Sequence, residues 1–177
     1  MAATPFRPAL DLMSQYAQYH RDKRNIATHF VGIPLIVFAI GILLARFSIG
    51  GVSLAWIVWA LATLWYLTRG NLVLGVATSL VNAVLIALAH PFAGVPLGAW
   101  LGWGVGFFAL GWVIQFVGHY YEGRKPAFAD DLVGLLVGPM FVTLELLALA
   151  GFFKSLVARI ESRVGPTFIR DIAHPAT

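Results

Sequence analysis

The sequence predicts an all-α integral membrane protein: a helical bundle with four full spans and a kinked or re-entrant fifth hydrophobic segment. Three observations carry this. Of 177 residues, 59% are hydrophobic and 11% charged, whereas soluble domains carry roughly 25% charged residues. The mean hydropathy is +0.82. Residues 70–121 contain no Asp, Glu, Lys or Arg, a run long enough for two crossings at ~20 residues each. The length suits one membrane domain over residues 1–177, made of an interfacial segment (1–29), a membrane bundle (30–153) and an amphipathic helix with a tail (154–177). No internal repeat or linker divides it.

In residues 1–29, Leu10, Met13, Tyr16, Ala17 and His20 recur at helical spacing, which predicts a short interfacial helix. There is no apolar core with a small-residue cleavage site there, so no secretory signal is expected. A first span is predicted over 30–47, with Pro34 in its first turn, where a missing N–H costs least. Ser48-Ile49-Gly50-Gly51 makes a tight turn and residues 52–68 form a short second span. The connector His90-Pro91-Phe92-Ala93-Gly94-Val95-Pro96-Leu97-Gly98 is rich in turn formers. It separates a third span (72–89) from a fourth (99–118). The fourth carries two glycine rows, Gly98, Gly102, Gly106 and Gly104, Gly111, Gly118, either of which would let a neighbouring helix approach closely. Residues 132–153 form the fifth segment, interrupted by Gly138-Pro139 and holding Glu145. Residues 154–165 read as an amphipathic surface helix, and the tail after Pro166 is left unassigned.

Charge orients the bundle. Four crossings return the end of span four to the face where span one began, so His20, His29, His119 and Glu122 share a face and His90 lies opposite. That face carries Arg7, Arg21, Lys23, Arg24, Arg69, Arg124 and Lys125, seven of the twelve cations, which makes it cytoplasmic by the positive-inside rule. Lys154, Arg159, Arg163 and Arg170 fit this only if the fifth segment is re-entrant. The net charge of +4 is then topological and lipid-facing, and no nucleic-acid partner is expected.

The candidate chemistry sits where the hydrophobic runs meet water. With no cysteine there is no thiolate ligand or nucleophile. His20 and His29 are nine residues apart, on opposite faces of any single helix. They can share a ligand only if the helix breaks between them, with Asn25 or Thr28 as a new N-cap. His119 and Glu122 are three apart, and Gln115 four before His119, so the three share a helical face if span four continues past Gly118. Taken separately, each set is more plainly read as a polar helix end. Together, three histidines and several carboxylates converge on one face of a chain that otherwise avoids charge. Imidazole and carboxylate donors suit non-haem Fe(II) or zinc, and the residues alone do not separate them.

Tyr19-His20, Asn25, His29 and Gly32-Ile33-Pro34, followed by Gln115-Phe116-Val117-Gly118-His119, Glu122, Arg124-Lys125-Pro126-Ala127 and Asp130-Asp131-Leu132, resemble the paired signatures of the 2-hydroxy fatty acid dioxygenase family. The similarity runs from about residue 10 to 153 and includes Pro139 and Glu145. It implies an Fe(II)-dependent enzyme that uses O2 to shorten a long-chain 2-hydroxy fatty acid by one carbon, with His20, His29 and His119 as metal ligands. Glu122, Asn25 and Gln115 are the expected catalytic residues, and Arg24, Arg124 and Lys125 the expected holders of the substrate carboxylate. The acyl chain would lie among apolar side chains between helices. Two positions depart from the pattern, Tyr120, which would narrow the pocket, and Asp131, which would add charge near the metal. Asp130 and Asp131 also suit the N-terminus of the fifth segment, a cap being the preferred role for Asp131. Glu145 is expected to pair a cation, and His90 and His174 to stay off the metal.

The alternative reading is a non-catalytic membrane lipid-binding or scaffold protein. A di-iron desaturase would need histidine clusters that this chain lacks, and a transporter an internal repeat. No phosphate-cradling glycine loop is present, so no soluble organic cofactor is expected. Membrane lipids are expected neighbours, and a homo-oligomer is compatible with the sequence. The expected location is a bacterial inner membrane with the metal site on the cytoplasmic face, or the endoplasmic reticulum in a eukaryote.

Overall fold

The computed structural model describes residues 6–127 and 131–172. Asp130 and His174 therefore lie outside the described residues. The helices are α1 (Ala9–Ala17), α2 (Lys23–Ala45), α3 (Leu54–Leu67), α4 (Leu72–Ala89), α5 (Leu97–Glu122), α6 (Gly134–Leu149) and α7 (Lys154–Val164). The only sheet among the described residues is a hairpin of β1 (Ser48–Ile49) and β2 (Val52–Ser53), turned by Gly50 and Gly51, both at positive φ, the conformation of the tightest hairpin turns.

The fold is all-α apart from that hairpin. α2, α4 extended by the 3-10 turn His90–Gly94, and α5 are long and apolar enough to cross a bilayer, the signature of an integral membrane protein. α3 has 14 residues, about 21 Å. α6 and α7 form a pair bent by 117°. Pro139 sits inside α6 without ending it.

α2 begins earlier than the expected first span, because the helix break falls at residues 18–22 and Asp22 makes the N-cap. The Asp22 carboxylate accepts the Arg24 N–H at 2.8 Å. Asn25 and Thr28, the caps expected from sequence, are both inside α2. The cap moves because Asp22 is held in place from several sides, its N–H donating to Glu122 and its carboxylate accepting the Arg170 N–H.

α2 and α5 pack along most of their lengths, and the glycines of α5 show why. A Cβ on Gly111 would stand 2.7 Å from Ile36 Cγ1, and one on Gly104 or Gly118 would collide with Leu43 or Thr28. Gly98, Gly102 and Gly106 meet nothing within 4 Å. The seven-residue row is thus the seam and the four-residue row is not. Gly118 brings His119 against the first turns of α2.

α1 covers this end of the bundle. Met13 and Ala17 are fully buried, and Tyr16 nearly so, against Val137, Met140, Phe141 and Leu144 of α6 and Leu156 and Ile160 of α7. The C-terminal segment returns to the same place. Phe168 pairs with Asp22 as an isolated parallel bridge, its N–H donating to the Arg21 carbonyl and its carbonyl accepting from Lys23. Arg163 meets Asp11 at 2.6 Å, so Arg163 and Arg170 stand beside the N-terminal polar stretch. Asp131 accepts the Val133 N–H at 3.0 Å in the turn before α6 and lies 3.9 Å from Arg7; the N-cap of α6 is Val133, without a side-chain cap, so Asp131 orders the preceding turn and is not the cap expected from sequence.

Candidate metal centre

Three separate backbone pieces deliver three imidazoles. His20 follows the end of α1, His29 lies in the second turn of α2, and His119 is near the end of α5. All three are buried, and one nitrogen from each lies within 4.8 Å of the others. The His20 Nδ1 donates to the Tyr16 carbonyl at 2.7 Å and the His29 Nδ1 to the Asn25 carbonyl at 2.8 Å. Each acceptor is four residues back along the chain. A carbonyl only accepts, so both rings carry their proton on Nδ1 and present a lone pair at Nε2.

Those two Nε2 atoms face each other at 2.9 Å. Two lone pairs at that distance repel unless a cation lies between them. Burial, reinforced by the neighbouring His29, holds His20 well below its ordinary pKa, so a proton is a poor candidate for that cation. The His119 Nδ1 is buried and makes no hydrogen bond of good geometry, the Arg124 backbone offering the ring only a weaker contact, an arrangement that costs free energy unless something outside the protein satisfies it. The residues therefore fit a metal ion: three neutral nitrogen donors, two of them held from behind by carbonyls in the way metal-ligating histidines usually are.

The other expected site residues surround this group. Gln115 is buried and its Oε1 has no partner; it lines a cavity of about 240 Å³ together with His29 and His119. The Glu122 carboxylate is a clamp: it accepts the backbone N–H groups of Arg21 and Asp22 at 2.9–3.0 Å, and the Asn25 side-chain amide at 3.0 Å. Asn25 donates the other way to the Tyr19 carbonyl. Glu122 thus ties the end of α5 to the loop that carries His20, and it is not among the three grouped donors.

The expected carboxylate-binding cations stand outside the cavity wall. Arg24 pairs with Asp22 at 2.7 Å, donates to the Arg170 carbonyl and covers Tyr121. Arg124 donates to the Gln18 carbonyl at 2.9 Å. Arg124 and Lys125 are exposed, adjoining Pro126, which does line the cavity. Tyr120 is 71% exposed and does not narrow the pocket, because it points away from α2. Buried Arg21 is lowered in pKa by its burial, opposed by the negative charges of Glu145, Glu161 and Glu122. His90 opens the 3-10 turn after α4 and is not in the histidine group.

Sequence reasoning passed over Tyr16. It lines the cavity, stacks on His20 at 4.1 Å between ring centroids, and supplies the carbonyl that holds that ring. Its spacing of four residues before His20 was the available signal. The contribution of residues 165–171 carried no such signal.

Residues 6–149 match the family model described as Mpo1-like, 2-hydroxy-palmitic acid dioxygenase Mpo1-like. The chain is 34% identical over 162 residues to the 2-hydroxy-palmitic acid dioxygenase MPO1 of Saccharomyces cerevisiae, covering 86% of this chain and 88% of that one. No solved structure matches it. The match takes in all three histidines and the helices that carry them, and the chain belongs to the Mpo1-like family of 2-hydroxy-palmitic acid dioxygenases.

Proposed function

We propose that this protein is an Fe(II)-dependent dioxygenase that shortens long-chain 2-hydroxy fatty acids by one carbon. The observation that carries the reading is the buried histidine group with opposed Nε2 atoms in a chain of this family. For an acid product the reaction balances as one 2-hydroxy acid and one O2 giving the acid one carbon shorter, CO2 and water. The C1–C2 bond breaks, and the four electrons leaving these carbons reduce O2.

His20, His29 and His119 would hold the iron. When bound, it supplies open positions for chelation by the substrate carboxylate and hydroxyl, and electrons for O2. The protein does the rest. The Tyr16 and Asn25 carbonyls fix the His20 and His29 rings. The Gln115 Oε1, lacking a partner in the cavity wall, accepts the hydrogen bond of the substrate hydroxyl. The clamp of Glu122 and Asn25 holds the His20 loop against α2. Arg124 and Lys125 draw the carboxylate towards the rim, whereas Arg24 is neutralised by Asp22. Burial of all three rings keeps bulk water away from the reacting centre.

The same reading includes the topology. α2, α3, α4 and α5 cross the membrane, and α6–α7 is re-entrant. The ties of Arg163 to Asp11 and of Arg170 to Asp22 support this, because a fifth crossing would part them. By charge, the histidine end is cytoplasmic.

The test is oxygen uptake by detergent-purified protein given Fe(II) and 2-hydroxypalmitic acid, with palmitic acid and His119→Ala as controls. Uptake that needs iron and the hydroxyl and vanishes in the variant is expected. No uptake and no retained iron would leave a lipid-binding scaffold.

A further inference from the structure

The cavity beside the histidines has a direction. Along α2 its wall runs from His29 to Ile40, and along antiparallel α5 from His119 to Phe108. Each stretch spans eleven residue steps, about 16 Å at 1.5 Å per residue. Exposure rises steadily along it. His29, Ile33, His119 and Gln115 are buried, Val37 and Trp112 half-buried, and Ile40 and Phe108 are 38% and 37% exposed. The α2–α5 wall is therefore closed at the histidines and open at Ile40 and Phe108, on two helices of membrane-crossing length, and α6 completes the lining with Leu135, itself 49% exposed. A hydrocarbon core is about 30 Å thick, so the opening faces the bilayer interior near its midplane.

Resting on the reaction proposed above, we infer that the acyl chain of the substrate lies along this α2–α5 wall, having entered sideways from the leaflet on the histidine side, and that Val37, Ile40, Trp112 and Phe108 govern how its length is read. A fatty acid in that leaflet already has its carboxylate at the surface and its tail towards the midplane. It reaches the histidines by lateral movement, without inverting. Each carbon of an extended chain advances about 1.3 Å, the C–C bond length projected on the chain axis, so about a dozen carbons fill the wall. Further carbons leave between Ile40 and Phe108 into lipid.

This sets an unusual length dependence. Lipid tails are as apolar as the cavity wall, so a methylene moving from bilayer to cavity gains packing but no hydrophobic driving force. Chains long enough to reach Phe108 are barely distinguished, and no upper limit is imposed. An obstruction midway along the wall, by contrast, penalises every chain that must pass it, because overpacking is costly in a close-packed site.

The experiment has two arms, both on the full chain in lipid nanodiscs. In the first, a 2-hydroxy fatty acid carrying a diazirine at carbon 12 is photolysed and the labelled peptide mapped; label on the segment Phe108–Trp112 is expected, since Val37 and Ile40 line a second apolar cavity as well and label there does not separate the two. Label on α3 and α4, where a second apolar cavity is lined by Trp59 and Asn82, overturns the inference. In the second, kcat/KM is measured for 2-hydroxy acids of 10 to 22 carbons. Wild-type values from 14 carbons upward are expected to agree within about threefold, and Val37→Trp to lower the ratio of 16-carbon to 10-carbon acid at least about tenfold. Rejection of 20- and 22-carbon acids by the wild type, or an equal loss at every length in the variant, also overturns it. Label at the expected segment without oxygen uptake would instead sink the reaction and keep the chain assignment.

Discussion

His20 Nε2 and His29 Nε2 stand 2.9 Å apart, each ring pinned by a backbone carbonyl four residues behind it. Neither ring can turn away without giving up its buried hydrogen bond. The repulsion between the two lone pairs is therefore built in, and a bound metal converts it into attraction. Purified protein is expected to bind about one metal ion per chain by elemental analysis, and His20→Ala, His29→Ala and His119→Ala to lose most of it. Chelation should lower the thermal midpoint and iron restore it, since saturation at 100 times Kd contributes about 2.7 kcal/mol. A midpoint indifferent to chelation would show that the triad is only a packed core.

Glu122 is a different kind of residue from the histidines, although it lies one turn from His119. Its carboxylate meets two backbone N–H groups and an amide in a buried setting, where charge-assisted bonds contribute ~1.5–3 kcal/mol each. Glu122→Ala should destabilise the protein by about 3 kcal/mol or more. Glu122→Gln keeps the shape and should be milder while retaining metal. A Glu122→Gln variant with full stability but no bound metal would make Glu122 a ligand instead.

The two glycine rows of α5 differ in consequence. Gly118→Ala places a methyl group against Thr28 and Asn25, and overpacking of this kind costs about 1–3 kcal/mol. Gly106→Ala meets nothing and should stay within about 0.5 kcal/mol of the parent. Thermal unfolding in detergent compares the two directly, and equal effects would contradict the α2–α5 seam.

Residues 166–172 hold the loop of His20 from outside, through Phe168 on Arg21 and Lys23 and Arg170 on Asp22. Ending the chain at Gly165 removes these ties but leaves the α7 contacts with α1. The truncated protein is expected to fold, bind metal about tenfold more weakly by competition with a chelator, and show earlier proteolysis near residue 20. Unchanged metal affinity would mean that Glu122 and Asn25 alone fix the loop.

Much of this was legible in the sequence because the bilayer enforces simple rules. A 52-residue uncharged run has few fates other than crossing hydrocarbon, and α4 begins and ends where turn formers bracket it. The three histidines were visible as polar residues gathered at one end of apolar runs, and the pairing of His20 with His29 was visible as a requirement for a helix break. Where that break fell was not. Asn25 and Asp22 are both good caps by local chemistry, and Asp22 prevails because Glu122 and Arg170, 100 and 148 residues away, converge on it. The same distance in sequence hid the role of Glu122, which reads locally as a partner for Arg124 or Lys125. It also hid which glycine row is buried, since helical spacing gives faces but not neighbours. The sequence by itself determined the apolar runs, the helices and the residue types gathered at their ends, because these depend on residues near one another in the chain. Tertiary structure alone decided which nitrogens meet, which carboxylate is a clamp and which side chains line the cavity, because those follow from packing between segments that the chain does not connect.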